Sequence, residues 1–157
     1  LLYAGLILTD AGVKVIEFNA RFGDPETQVV LPRLTTPLSR LLLAAASGTL
    51  ESEPAPEFSA EAAVTVVLAS EGYPEQPITG RPLTGTDAAA SVDGVHLAHA
   101  ATKSADGGLV ATGGRVLNVV AVGTDLADAR GRAYAALEQI SLEGAHYRRD
   151  IALSASN

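Results

Sequence analysis

An α+β fold in two parts is what this sequence predicts, and three observations carry the prediction. The chain opens on two short apolar runs separated by turn residues, the pattern of a strand hairpin. Helix signals follow, and then an acidic, proline-bearing stretch without periodicity. Beyond it, β-rich runs alternate with loops punctuated by Gly and Pro and end in one amphipathic helix, the pattern of a small α+β domain.

The elements follow in order. Leu1 to Leu8 reads as a buried strand, Thr9-Asp10-Ala11-Gly12 as a turn, and Val13 to Asn19 as a second strand antiparallel to the first. Side chains alternate along a strand. Val13, Val15, Glu17 and Asn19 are therefore expected on one face, with Lys14, Ile16 and Phe18 on the other. Asp24-Pro25-Glu26 reads as a helix start, with Asp24 as N-cap, Pro25 in the first helical position and Glu26 near the positive end of the dipole. Pro32 ends or kinks this helix. Thr36-Pro37 starts another, through Leu38, Leu41, Leu42 and Ala45, which Gly48 closes. Leu50 to Ser59 is the linker candidate.

Ala63 to Ala69 is the first β-rich run of the second part, and Glu71 to Thr86 reads as a long loop. Val95 to Thr102 and Leu109 to Thr112 are expected to pair as a hairpin around Ser104 to Gly108. Arg115 to Val122 is a further strand. Asp125 to Ile140 is the amphipathic helix, with Leu126, Ala129, Ala133, Leu137 and Ile140 on its apolar face.

Composition excludes several classes. The chain has 157 residues, 47% hydrophobic, enough to bury a core. Its net charge is −7, and its 11 Lys and Arg form no basic run, so nucleic acid is not expected as a partner. There is no Cys, which rules out disulfides and thiolate metal sites and accords with a cytoplasmic location. The apolar opening is too short to span a bilayer, so no membrane partner is expected. There is also no Met, and the chain begins within an apolar run, so it is expected to be the C-terminal part of a longer protein.

The chemistry concentrates in VIEFNARFGDPETQ, Val15 to Gln28. Glu17 and Asn19 are oxygen donors at i and i+2 of one strand, placed to share one hard cation. Mg²⁺ is usually held by a few protein oxygens together with phosphate oxygens and water. Arg21 follows with a planar fork suited to phosphate or carboxylate. The helix start near Asp24 offers backbone N–H groups to an anion. The plainer alternative is a hairpin emerging into solvent with Asp24 as an ordinary cap. His96 and His99 lie three apart on a strand and face opposite sides, so they cannot chelate one ion. Gly107-Gly108 and Gly113-Gly114 read as turns, since no helix signal follows either pair.

The longer string resembles the signature of phosphoribosylamine–glycine ligases (glycinamide ribonucleotide synthetases) of the ATP-grasp superfamily. YAGLILTDAG leading into VIEFNARFGDPETQVVLPRL, HAATK at His99 to Lys103, GGRVL at Gly113 to Leu117 and YRRDI at Tyr147 to Ile151 match that family in order and spacing. The resemblance implies that residues 1–49 end an ATP-grasp domain, 50–60 link, and 61–157 form the family's C-terminal domain. It implies ATP-dependent joining of glycine to 5-phosphoribosylamine through glycyl phosphate, giving glycinamide ribonucleotide, ADP and phosphate in purine synthesis. Glu17 and Asn19 then hold Mg²⁺ or Mn²⁺, and Arg21 acts on the transferring phosphoryl group or the acyl phosphate. Asp24 orients the substrate amine or caps the helix. Arg115, Arg148 and Arg149 are candidates for the ribose-phosphate end; the alternative is a solvated pair and a strand-end arginine. The family's nucleotide lid lies upstream of this hairpin, so the chain alone is expected to be inactive, its partner being the N-terminal part of the same protein. Two other readings stand beside this one: another ATP-grasp carboxylate–amine ligase, which HAATK and YRRDI disfavour, and a non-catalytic assembly module.

Overall fold

RVLNVVAVG, residues 115–123, builds the centre of the molecule. The structure is a computed structural model describing residues 1–156, and its architecture is α+β. Twelve elements run in the order β1 (Tyr3–Thr9), β2 (Gly12–Asn19), α1 (Thr27–Val30), α2 (Leu38–Ser47), β3 (Ala62–Ala69), β4 (Pro82–Leu83), α3 (Thr86–Ala90), β5 (Val95–His99), β6 (Thr102–Ala105), β7 (Gly108–Ala111), β8 (Arg115–Gly123) and α4 (Leu126–Leu137). β8 is the middle strand of an antiparallel sheet ordered β3-β8-β5. Six successive residues, Val116 to Ala121, are buried. A strand with one solvent face alternates. This one does not, because α4 and α1 both pack on the β3-β8 pair. A second small sheet, β4-β7-β6, flanks it.

α4 packs through Ala129, Ala133, Ala136 and Leu137, with Leu126 and Ile140 partly buried beside them, as its periodicity predicts. Asp125 is its N-cap, accepting from the Asp128 backbone N–H at 2.8 Å. Asp125→Ala is expected to cost about 1 kcal/mol, the usual worth of an N-cap, measured as a shift in the denaturation midpoint. α2 ends as expected on Gly48, whose φ of 71° closes the helix in the left-handed conformation.

Several expectations are corrected. The first strand is not buried: Leu6 is 53% and Leu8 81% exposed. β1 pairs with β2 alone, and among the described residues nothing covers the hairpin's apolar faces. Glu71 to Thr86 is not all loop, since β4 and the start of α3 fall within it. Val95 to Thr102 is not one arm of a hairpin. It breaks at Ala100-Ala101: β5 joins β8, and the hairpin is β6 with β7. Strand partnership depends on β8, far along the chain, and local pattern does not carry it. The linker candidate is tied back to the first part. Thr35 N donates to Glu57 O at 2.9 Å, Ser59 N to Arg33 O at 2.7 Å, and Arg40 pairs with Glu53 at 2.6 Å.

Candidate functional site

The hairpin register decides which side chains share a face. Tyr3 pairs with Asn19 and Gly5 with Glu17, but Leu6 pairs with Val15, leaving Ile16 as an extra residue. Cross-strand partners point the same way, and Gly5 and Leu6 alternate. The bulge therefore puts Glu17 and Asn19 on one face with Tyr3, and Val13 and Val15 on the opposite one. The expectation for the oxygen pair holds. The expectation that the two valines share their face is corrected by one inserted residue. Gly5 makes the room: a Cβ there would lie 3.2 Å from Glu17 Cγ.

The turn folds back onto this face. Tyr3 Oη donates to Glu26 Oε1 at 2.8 Å. Gly23 is buried beneath them, where a Cβ would lie 3.0 Å from the Tyr3 ring and 2.6 Å from Glu26 Oε2. The Tyr3 phenol is pushed above its ordinary value. Its hydrogen bond to Glu26 is the main cause, followed by partial burial and the Glu26 and Glu17 charges, with Arg21 opposing. Arg21 donates to Phe22 O at 2.8 Å. Among the described residues neither Arg21 nor Glu17 has an ion-pair partner.

Asp24 is not the helix cap. Asp24-Pro25 is a cis peptide, and α1 begins at Thr27 without a side-chain cap. Instead the Asp24 carboxylate is gripped from two sides. Gln28 Nε2 donates to Oδ1 at 3.0 Å, and Arg115 Nη2 lies 3.1 Å from Oδ2. Arg115 Nη1 also donates to the Asp24 carbonyl at 3.2 Å, so one guanidinium holds both side chain and backbone across 91 residues. The expected anion site at the helix start is corrected as well. α1 has only four residues, and the N–H groups of Thr27, Gln28, Val29 and Val30 already donate to Gly23, Pro25 and Glu26 carbonyls.

Arg115 and Arg148 line one cleft of about 240 Å³ at the junction where Pro25, from the turn after β2, meets Tyr73, His146 and Tyr147 of the second part. Arg148 is forked onto Asp150 at 2.9 and 2.6 Å. Arg149 stands apart, its guanidinium 5.3 Å from the centre of the Tyr147 ring, and does not line the cleft. His99 is engaged with Thr102 Oγ1 at 3.0 Å. Nothing in the local sequence marks Gln28 or His146, and Glu26 reads only as a helix-start residue, not as the partner of Tyr3. Tyr3 left a signal, as the residue opposite Asn19 once the hairpin is drawn.

The donor set suits a hard cation that also binds phosphate. Glu17 supplies charge and Asn19 a neutral oxygen, while Asn19 Nδ2 is sealed from solvent without a partner. Two protein oxygens are too few for a closed cage. Among the described residues no group of three His, Cys, Asp or Glu gathers to hold a metal, here or elsewhere. No described helix is long and apolar enough to cross a membrane.

A bulged hairpin ending in two oxygen-bearing side chains and an Arg-Asp turn, followed by a small α+β domain, is the arrangement of the end of an ATP-grasp domain and its C-terminal companion. Residues 1–27 match the family described as phosphoribosylglycinamide synthetase, ATP-grasp (A) domain, and residues 63–154 match phosphoribosylglycinamide synthetase, C domain. The chain belongs to the phosphoribosylglycinamide synthetase family. It is 65% identical over 157 residues to the phosphoribosylamine–glycine ligase of Leifsonia xyli, covering 99% of this chain and 38% of that protein. It is 56% identical over 158 residues to the same enzyme of Streptomyces coelicolor, with 99% and 38% covered. The crystal structure of the Thermotoga maritima phosphoribosylamine–glycine ligase superposes with a TM-score of 0.79 at 36% identity, over 96% of this chain and 36% of that one. The chain thus spans about 38% of the length of the curated relatives it matches.

Proposed function

We propose that this chain is the C-terminal part of a phosphoribosylamine–glycine ligase, in which ATP, glycine and 5-phosphoribosylamine give glycinamide ribonucleotide, ADP and phosphate. In this reading residues 1–49 close the ATP-grasp domain, 50–60 link, and 61–157 form the C-terminal domain. The protein is cytoplasmic and acts on small molecules. The observation that carries the reading is the Glu17–Asn19 face beside an Arg21 free of acidic partners, in a chain of this family.

A glycine carboxylate oxygen attacks the γ-phosphorus of ATP as the bond to ADP breaks. The amine of phosphoribosylamine then attacks the acyl carbon, and phosphate leaves with that oxygen. When bound, Mg²⁺ or Mn²⁺ neutralises charge on the ATP phosphates. Glu17 and Asn19 would hold it, from the one face of β2 that they share. Arg21 is the catalytic residue, its fork set against charge developing on the transferred phosphoryl group, where a positioned cation acts most strongly. Asp24, held by Gln28 and Arg115, receives the substrate amine. Arg115 and Arg148 meet the ribose-phosphate end in the cleft they line, and Arg149, outside it on the Tyr147 ring, has no part in this contact. The rest of the nucleotide site comes from the preceding part of the protein, so the 157-residue chain alone binds ATP weakly and does not turn over. The full-length protein is expected to release ADP from ATP only when both glycine and phosphoribosylamine are present. Sustained, multiple-turnover ADP release with either one omitted contradicts the assignment.

A further inference from the structure

Residues 148–151 carry a candidate substrate arginine on backbone that belongs to no helix or sheet. Such a segment has no ladder to fix it, and its polar groups need other partners. They come from two side chains of α4. Tyr134 Oη donates to the Arg148 carbonyl at 2.7 Å and accepts from the Ile151 N–H at 3.2 Å. Arg130 Nε donates to the Ile151 carbonyl at 3.0 Å and Nη2 to the Arg149 carbonyl at 2.7 Å. The Arg130 guanidinium also lies 4.6 Å from the centre of the Tyr134 ring, so each residue stiffens the other. The helix under them is anchored by Ala129 and Ala133, both fully buried.

The consequence falls on Arg148. Its Nε and Nη2 are taken by Asp150, two residues along the same clamped segment. Backbone, carboxylate and guanidinium are therefore fixed as one unit, with Nη1 the nitrogen that Asp150 does not engage. That unit stands at the cleft with Arg115. We propose that Arg130 and Tyr134 are positioning residues, a clamp on α4 that presents Arg148 to a phosphate ester in the junction cleft. This rests on the reading that the cleft receives the substrate's ribose phosphate. Neither clamp residue touches the ligand. They act by removing the loop motion that would otherwise have to be frozen on binding.

The test uses the full-length protein and ribose 5-phosphate as the probe, titrated by nuclear magnetic resonance. Arg148→Met is expected to weaken binding about tenfold, the scale of one charge-assisted hydrogen bond. Tyr134→Phe, which keeps the ring and removes both backbone contacts, is expected to weaken it comparably. It also broadens the Arg148 Nε–H resonance while leaving that of Arg132, at the far side of the helix's first turns, and the β8 amides in place. A merely structural role would move all of these together. If Tyr134→Phe disturbs the β8 amides, Arg130→Met decides by the same two readouts. Wild-type affinity and a sharp Arg148 resonance in the clamp variants, with Arg148→Met impaired, overturn the positioning role alone. Wild-type affinity in Arg148→Met overturns the cleft reading and the clamp with it.

Discussion

Glu17→Ala in the full-length protein is expected to lower the proposed ligation about 10²- to 10³-fold, the range seen when one preorganised electrostatic group is removed from a transition state. The melting temperature stays nearly unchanged. Glu17 is exposed and has no ion-pair partner among the described residues, so its loss leaves no buried group stranded. The defect should also shift with metal. With Asn19 left as the proposed ligand alone, the apparent Mg²⁺ requirement is expected to rise and excess Mg²⁺ to recover part of the rate. Initial-rate measurement across a Mg²⁺ series checks this. Near-normal turnover at limiting Mg²⁺ would remove Glu17 from the metal.

The opposite signature is expected in the centre of the fold. Leu117 is fully buried in β8, paired with Leu68 on one side and His99 on the other. Leu117→Ala removes packing from both neighbours and leaves a cavity, at a cost of about 2–5 kcal/mol. Domains of this kind have about 5–15 kcal/mol in total, so this is a large fraction. The urea midpoint falls accordingly. Since Arg115 opens the same strand, the Asp24–Arg115 contact is expected to loosen before the Glu17–Asn19 face does. Below the new transition, full-length enzyme carrying Leu117→Ala keeps far more activity than Glu17→Ala. One residue thus reports on stability and the other on chemistry.

What the sequence could reveal follows the range of the interaction involved. α4 was legible because its apolar period and its Asp125 cap are local. The shared face of Glu17 and Asn19 was legible because the residues are two apart within one regular stretch. The valines before them were misplaced because the bulge at Ile16 is set by pairing with β1, and nothing in Val13 to Asn19 marks it. Asp24 looked like a cap because Asp-Pro-Glu is helix-start chemistry. Its actual partner, Arg115, is 91 residues away, and that distance hides it. The same holds for Tyr134 and Arg130, which read as ordinary positions of an amphipathic helix until the 148–151 segment lies against them. The hairpin's exposure was missed for a different reason. Apolar content predicts that a strand will be covered, and here the described residues do not contain the cover.

The most direct test follows one atom. Glycine labelled with ¹⁸O in both carboxyl oxygens is supplied to the full-length protein with ATP, Mg²⁺ and 5-phosphoribosylamine, and the inorganic phosphate is analysed by mass. Attack of the glycine carboxylate on ATP predicts one ¹⁸O in each phosphate released, with glycinamide ribonucleotide formed in equal amount. Unlabelled phosphate, or phosphate released without that product, would contradict the account.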